Sequence, residues 1–140
     1  MDDKPRILID LNILMDILQA RKPFFEQSLN LLTVVENGQV DAFMAAHNIT
    51  TLFYLIKKDR SASEARAVIT KIFQMIKILT LDQEILEKAL QLDYRDFEDA
   101  VQMVSAAHNN IDCLITRNIK DFQPALIPVM QPVEFLSALP

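Results

Sequence analysis

A short aliphatic run near the start of the chain constrains the fold more than any other feature. Residues 6–10, Arg-Ile-Leu-Ile-Asp, are almost continuously apolar until they end in an aspartate. A run of about five such residues is typical of a strand in a parallel sheet that is covered on both faces. It therefore predicts a buried first strand with Asp10 at its carboxyl end.

Similar runs alternate with helical patterns along the rest of the chain. Further strands are predicted at residues 40–45, 78–80, 113–116 and 127–130, and helices at 12–20, 24–37, 49–58, 64–76, 82–92 and 97–109. Gly38 is placed to end a helix, and Ser61, Asp82 and Asp96 are placed to begin one. The alternation predicts the α/β class, as a three-layer α/β/α sandwich around a central, mainly parallel sheet of four or five strands.

Length and composition predict a single domain spanning residues 1–140. The chain has 140 residues, of which 51% are hydrophobic, and its only cysteine, Cys113, falls in a predicted strand. One cysteine gives neither a disulfide framework nor a metal-ligand spacing, which favours a reducing compartment. The start lacks the layout of a signal peptide, and no apolar stretch approaches the roughly 20 residues of a membrane span. We expect a soluble cytoplasmic protein with no membrane partner.

The overall charge limits which partners the chain can attract. A net charge of −5 argues against a globally basic nucleic-acid binder, although a local basic patch could still contact phosphates. A polyanionic substrate would need cations from metals or from a few basic side chains.

Three aspartates fall at the ends of predicted buried elements. Asp10 closes the first strand, Asp99 opens the helix at residues 97–109, and Asp121 follows the strand at 113–116. Open α/β sheets collect ligands outside the carboxyl ends of their strands, so the three acids would share one crevice if those strands are neighbours. Oxygen ligands without nearby histidine or cysteine favour hard cations such as Mg²⁺ or Mn²⁺.

Each of these residues also has an ordinary structural interpretation. Asp10 could cap the next helix, Asp121 could be a loop residue, and Asp99 and Glu98 could complement a helix dipole for about 0.3–1 kcal/mol each. The remaining polar and aromatic candidates are expected to be structural: His47 and His108 as capping or helix-surface residues, Phe53 and Tyr54 as core residues.

Three blocks give the sequence its resemblance to a known family. They are residues 9–13 (Ile-Asp-Leu-Asn-Ile), 96–100 (Asp-Phe-Glu-Asp-Ala) and 115–122 (Ile-Thr-Arg-Asn-Ile-Lys-Asp-Phe). In these blocks, and in the order of elements over nearly the whole chain, the sequence resembles the PIN domain, the PilT N-terminal-like nucleases that include the VapC-type toxins of bacterial toxin–antitoxin pairs. The resemblance implies an α/β/α sandwich whose acidic cluster binds Mg²⁺ or Mn²⁺ and cleaves RNA.

The resemblance also implies which residues carry the activity. The family's first acid falls on Asp10 and its helix-start acid on Asp99. Many members have an aspartate where this chain has Asn118, so Asp121 supplies the last acid three residues later. Thr116 matches the hydroxyl residue at the end of that strand, and Asn12 matches a polar residue common after the first acid.

One block departs from the family pattern. Members usually carry a glutamate in the helix after the second strand, whereas residues 46–52 contain none, with Thr50 or Thr51 at about that point. Glu98 could substitute as a metal ligand, the site could hold one ion weakly, or activity could be lost.

The leading hypothesis is a metal-dependent endoribonuclease, with an antitoxin as protein partner. Asp10, Asp99 and Asp121 would hold Mg²⁺ or Mn²⁺, and Thr116 and Asn118 would orient ligands or water. Substrate contacts are predicted at Asn12, Arg117 and Lys120, with Arg21 and Lys22 more distant.

Two other functions are compatible with the sequence. A degenerate PIN domain would bind RNA or protein without cleaving. A phosphatase-like or receiver-like domain would want a second acid directly beside Asp10 and a late lysine, which fits less well. The apolar helices at residues 24–37 and 64–76 permit a homodimer with any of these functions.

Overall fold

Five parallel strands form one sheet within residues 3–140, the part of the chain that the computed structural model describes. They are β1 (Arg6–Ile9), β2 (Asp41–Ala45), β3 (Lys77–Leu79), β4 (Cys113–Ile115) and β5 (Val129–Met130). The order across the sheet is β3-β2-β1-β4-β5, and every neighbouring pair is parallel. The predicted parallel sheet is confirmed, with β1 in the centre.

Helices connect the strands as the sequence predicts. They are α1 (Leu11–Leu18), α2 (Phe25–Glu36), α3 (Ala46–Asp59), α4 (Ala62–Phe73), α5 (Gln83–Leu90), α6 (Phe97–His108), α7 (Pro132–Ala138) and a 3₁₀-helix (Ile119–Phe122). Helix α3 begins three residues before the predicted start at residue 49, and α7 was not predicted. Its sequence signals are Pro132 at the first helical position and a Gln131–Glu134 capping box.

Alternate side chains of the strands face the two helical layers. Ile7 and Ile9 pack in a core with α1, α2, α3, α4 and α7, whereas Leu8 packs in a second core with α6. All three side chains are at most 1% exposed. Burial of such a side chain is worth about 1.5–3 kcal/mol. Both faces of the sheet are therefore covered, which confirms the three-layer sandwich and explains why the strand sequence is continuously apolar.

Local capping interactions fix several helix ends at the predicted residues. Gly38 follows α2 with a φ of +75°, a conformation that favours glycine. Ser61, Asp82 and Asp96 each accept a hydrogen bond from a backbone amide in the first turn of α4, α5 and α6. The N-terminal ends of α4, α5 and α6 are thus set by short-range chemistry, and the start of α6 borders the groove described below.

The pairing of β1 with β4 decides where the predicted site forms. Ile9 is the register partner of Ile115, and the Asp10 amide donates to the Ile115 carbonyl at 3.0 Å. The two strands are separated by about a hundred residues of sequence, yet Asp10 and Thr116 follow them side by side. The adjacency that the shared crevice requires is present.

Cys113 is buried in β4. Its burial raises the pKa of the thiol to about 11, and repulsion from Glu134 and Asp112 contributes to the rise. That thiol is a small hydrophobic group of β4, as predicted. None of the helices in residues 3–140 combines the length and the apolar character needed to cross a bilayer.

Candidate active site

Asp10 occupies the N-cap position of α1, but its side chain does not cap that helix. The carboxylate is 4% exposed, and its two oxygens accept hydrogen bonds from the Thr116 hydroxyl at 2.9 Å and from the Gln102 amide at 3.1 Å. Burial raises the pKa of Asp10, and these two hydrogen bonds oppose the rise. The carboxylate therefore faces β4 and α6, and the interpretation of Asp10 as an ordinary cap does not describe its side chain.

Gln102 is a site residue that the sequence analysis missed. It lies on α6, three residues after Asp99, and is 1% exposed. Its amide nitrogen donates to Asp10, while its amide oxygen has no hydrogen-bond partner among the described residues. A long polar side chain in the inward stripe of an apolar helix was the available signal, because buried polar groups normally have a partner.

Thr116 connects Asp10 with the loop that follows β4. Its hydroxyl donates to Asp10 and accepts from the Asn118 amide at 3.0 Å, while its own amide donates to the Met130 carbonyl at 2.9 Å. Residues 116–118, which we call the site loop, are thereby attached to the sheet. Of the predicted orienting residues, Thr116 contacts Asp10 directly, and Asn118 contacts Thr116.

Asp99 lies in the first turn of α6, where its carboxyl group is partly buried. Burial is the largest of the effects that raise its pKa to about 7, and repulsion from Asp96, Asp10, Asp121 and Glu98 adds to it. Both effects disfavour the charged form. Asp10 and Asp121 therefore both lie within electrostatic range of Asp99, whose charged form a cation would stabilise.

A groove of about 520 Å³ holds the accessible part of the site. It is lined by Asp93, Arg95, Asp96, Asp99, Lys120, Asp121 and Gln123. Lys120 and Asp121 come from the 3₁₀-helix and are exposed, whereas Asp99 reaches the groove from α6. Two of the three predicted acids and one predicted phosphate contact thus border the same groove, with Asp10 buried behind Gln102 and Thr116.

These acids do not form a compact metal cluster. Across residues 3–140, no three histidine, cysteine, aspartate or glutamate side chains are close enough together to hold a metal ion. The donor chemistry nevertheless fits a hard cation, because the side chains with oxygen donors around the groove are four aspartates and Gln123, and no histidine or cysteine lines it. The pKa of Asp99 is raised first by burial and then by repulsion from the neighbouring acids, and both effects would favour a bound cation.

The resemblance implies a glutamate in the helix after the second strand, where this chain has Thr50 and Thr51 at about that point. Thr50 and Thr51 both donate to the His47 carbonyl of their own helix, at 2.9 and 3.2 Å. Helix α3 therefore contributes no carboxylate there. The His47 ring makes a 3.0 Å hydrogen bond to the backbone carbonyl of Glu98, and the Glu98 side chain is the weakest of the four acids that raise the pKa of Asp99.

Arg117 points away from the groove. Its Nε lies 3.0 Å from a carboxylate oxygen of Asp16, and its guanidinium stacks over the Phe24 ring at 4.4 Å. Asp16, another residue that the sequence analysis missed, also lies 3.5 Å from Arg21. The predicted contact of Arg117 with phosphate is untested, but in this structure its charge is already engaged.

The other candidates lie outside the groove. Asn12 is partly buried in the first turn of α1 and near enough to lower the pKa of Asp10. Lys22 and His108 are exposed, and Phe53 packs against the core. The prediction for Tyr54 is wrong, because this side chain is 60% exposed. A helical stripe shows which residues share a face, but not where that face stops being buried.

Family membership follows from the sequence profile. The profile of the PIN domain matches residues 6–120, which includes every predicted site residue except Asp121. The chain belongs to the PIN domain family. Its sequence has no significant match among the curated proteins.

Solved structures share the fold of this PIN domain. A toxin–antitoxin complex from Klebsiella pneumoniae is 24% identical with a TM-score of 0.68, and VapBC2 from Rickettsia felis, bound to promoter DNA, is 14% identical with a TM-score of 0.67. In both, the match covers 90% of this chain and 97% of the other. VapC20 from Mycobacterium tuberculosis, a sarcin–ricin loop cleaving toxin, is 13% identical with a TM-score of 0.62, over 77% of this chain and 86% of that one.

Proposed function

We propose that this PIN domain is a divalent-metal-dependent ribonuclease and the toxin of a toxin–antitoxin pair. The observation that carries the proposal is the environment of Asp99, whose pKa is raised to about 7 by burial and by surrounding acids that include Asp10 and Asp121. Carboxyl groups with a shifted pKa that lie in a groove are typical of functional sites, because such sites place acids where a bound ligand supplies the compensating charge. The structural relatives include a toxin that cleaves the sarcin–ricin loop, which supports RNA as the substrate class.

Asp10, Asp99 and Asp121 would hold Mg²⁺ or Mn²⁺, with Glu98 as a weaker fourth ligand. When bound, such a cation would activate a water molecule and offset charge on the scissile phosphate. Gln102 and Thr116 orient Asp10 by neutral hydrogen bonds, and Asn118 is held next to them by the Thr116 hydroxyl. None of these residues forms a covalent bond with the substrate in this mechanism.

Lys120 is the best placed of the proposed substrate contacts. It lines the groove together with Asp99 and Asp121, so its ammonium group can meet a phosphate that approaches the acids. Asn12 is partly buried beside Asp10 in the first turn of α1, and it is a proposed contact for substrate at that end of the site. Arg117 would first have to leave Asp16.

The proposed protein partner is an antitoxin that covers the acidic groove. Relatives of the same fold are solved as complexes with antitoxins, in the VapBC and FitAB systems. A homodimer is also part of the proposal, because Leu29 of α2 and Phe73 of α4 are 40% and 55% exposed large apolar side chains. Sedimentation equilibrium of the wild type and of Phe73→Ser tests the dimer.

A binding module without catalysis is the second candidate function. Two observations favour it: α3 supplies no carboxylate at the family's glutamate position, and the acids of residues 3–140 form no compact cluster. In that case RNA or protein would bind in the groove without metal, and Asp99 would not be needed.

Calorimetric titration of Mn²⁺ into metal-free protein separates the two functions. The variants are Asp99→Asn and the control Asp59→Asn, an exposed aspartate at the end of α3. The nuclease predicts Mn²⁺ binding that Asp99→Asn abolishes and Asp59→Asn retains, together with Mn²⁺-dependent cleavage of RNA. Absence of both Mn²⁺ binding and RNA cleavage, with RNA binding retained, would favour the binding module.

A further inference from the structure

Asp16 is a buried acid that the proposed reaction does not use. It lies on α1, six residues after Asp10, and its side chain is 0% exposed. A buried carboxylate is costly unless positive groups compensate it. Arg117 and Arg21 lie 3.0 and 3.5 Å from its two oxygens and lower the pKa of the carboxyl group, but burial outweighs them and that pKa remains raised.

Arg117 is enclosed from several sides by this arrangement. Its guanidinium lies between Asp16 and the face of Phe24, and its side chain is 22% exposed. Its backbone carbonyl accepts a hydrogen bond from the Gln131 side chain at 3.4 Å. The Arg117 guanidinium thus makes the two contacts that are typical of arginine: it stacks on an aromatic ring and it pairs with a carboxylate.

The site loop is consequently attached to one short region of the chain at two points. Thr116 hydrogen-bonds to Asp10 immediately before α1, and Arg117 pairs with Asp16 within α1. The contacts of Thr116 with Asp10 and Met130 hold the start of the site loop, and the Arg117–Asp16 pair adds a side-chain contact one residue further along that limits rotation of the loop about Thr116. Asn118 ends the loop, and the 3₁₀-helix with Lys120 and Asp121 follows it directly.

We infer that Asp16 positions the site loop through Arg117, and that Arg117 is a positioning residue and not a phosphate contact. The effect on metal and RNA rests on the proposed ribonuclease function. Loss of a side chain that orients a metal ligand without contacting the metal typically lowers metal affinity by about 10–100-fold.

The test uses Asp16→Asn, Arg117→Gln and the double variant, with Asp59→Asn as control. Removing one partner leaves a buried charge, so the single variants lose stability, and the double variant removes both charges and keeps a folded protein for comparison. Mn²⁺ affinity is measured by calorimetry well below each unfolding temperature. Binding of a single-stranded RNA oligonucleotide is measured in EDTA over a range of salt concentrations.

We expect Mn²⁺ affinity to fall by about tenfold or more in the folded double variant and to stay unchanged in Asp59→Asn. The salt dependence of RNA binding should be the same in Arg117→Gln as in Asp16→Asn, because both variants break the same positioning contact, whereas a direct phosphate contact of Arg117 would reduce the slope by about 0.7 in Arg117→Gln alone. A slope reduced in Arg117→Gln alone would overturn the inference, as would unchanged Mn²⁺ affinity in the double variant.

Hydrogen exchange separates this inference from the proposed function. If the wild type binds neither Mn²⁺ nor RNA, the ribonuclease proposal fails, and exchange at the amides of Thr116 and Asn118 decides the role of Asp16. If the double variant accelerates exchange at these two amides more than at the amides of α4, each compared with the wild type, Asp16 positions the site loop. Equal acceleration in both regions contradicts it, because it indicates only a loss of global stability.

Discussion

The unusual titration of Asp99 makes the stability of this protein depend on pH in a direction opposite to most aspartates. The pKa of its carboxyl group is raised from 3.8 to about 7 in the folded protein, through burial first and then through neighbouring acids. Between these two values the unfolded chain has lost the proton while the folded protein keeps it. The folded state binds more protons, so the free energy of unfolding falls as pH rises from about 4 to 7 and stays lower above pH 7.

The size of the effect follows from the difference between the two pKa values. A change from 3.8 to about 7 corresponds to about 4 kcal/mol at 1.36 kcal/mol per pH unit. The carboxyl group is only partly buried and several of the surrounding acids are exposed, so solvent screening reduces this to about 2 kcal/mol. The opposing gain from a negative charge at the start of α6 is about 0.3–1 kcal/mol, which is smaller.

Asp99→Asn removes the charge and keeps the shape of the side chain. We therefore expect the variant to gain about 2 kcal/mol over the wild type at pH 8, relative to their difference at pH 4. Urea denaturation in EDTA at the two pH values measures this, with Asp59→Asn as a control that should show no such gain. If the advantage of Asp99→Asn does not grow between pH 4 and pH 8, burial and the neighbouring acids do not raise the pKa of Asp99 in the folded protein.

Adding Mn²⁺ should reverse the order of stability at pH 8. A ligand present at a hundred times its Kd stabilises the protein that binds it by about 2.7 kcal/mol. The wild type should then equal or exceed Asp99→Asn, because the cation stabilises the carboxylate form that is costly without it. An equal response of both proteins to Mn²⁺ would place the ion somewhere else.

Three further variants test the interactions around Asp10 and the groove. Gln102→Leu keeps the volume but removes the donor to Asp10, so Mn²⁺ affinity should fall about 10–100-fold in calorimetry; an unchanged affinity would show that Gln102 does not orient the ligand. Thr116→Val leaves an oxygen of Asp10 and the Asn118 amide without their partner, which should cost about 1–3 kcal/mol of unfolding free energy in urea titrations. Lys120→Gln should reduce the salt slope of RNA binding by about 0.7 if Lys120 contacts a phosphate, and leave it unchanged otherwise.

Local chemistry made much of the fold predictable from the sequence. The caps at Ser61, Asp82 and Asp96 depend on residues two or three positions apart, and the structure has all of them. The buried part of the first strand, residues 7–9, follows from its apolar run, since strand positions covered on both faces of a sheet favour apolar side chains. The helix at 132–138 had equally local signals, which shows that short terminal elements are easy to overlook.

Contacts between distant elements were not predictable in the same way. Gln102 meets Asp10 across 92 positions of sequence, and Arg117 meets Asp16 because β4 pairs with β1 and brings the site loop next to α1. A sequence pattern specifies which side of a helix is apolar, but not which element that side will face or which polar atoms will meet there. For the same reason the pattern did not show that Tyr54 lies where no other element covers it, and this side chain is 60% exposed.

The sequence by itself determined that Asp10 ends a buried strand and that Asp99 opens a helix, because both facts follow from spacing along the chain. Only the tertiary structure decided that Asp10 is enclosed by Gln102 and Thr116, and that Asp99 and Asp121 border one groove with Lys120. The tertiary structure also pairs Arg117 with Asp16, whereas the sequence suggested that Arg117 contacts substrate. The physical reason is that charge and burial depend on distance in space, and strand order sets that distance.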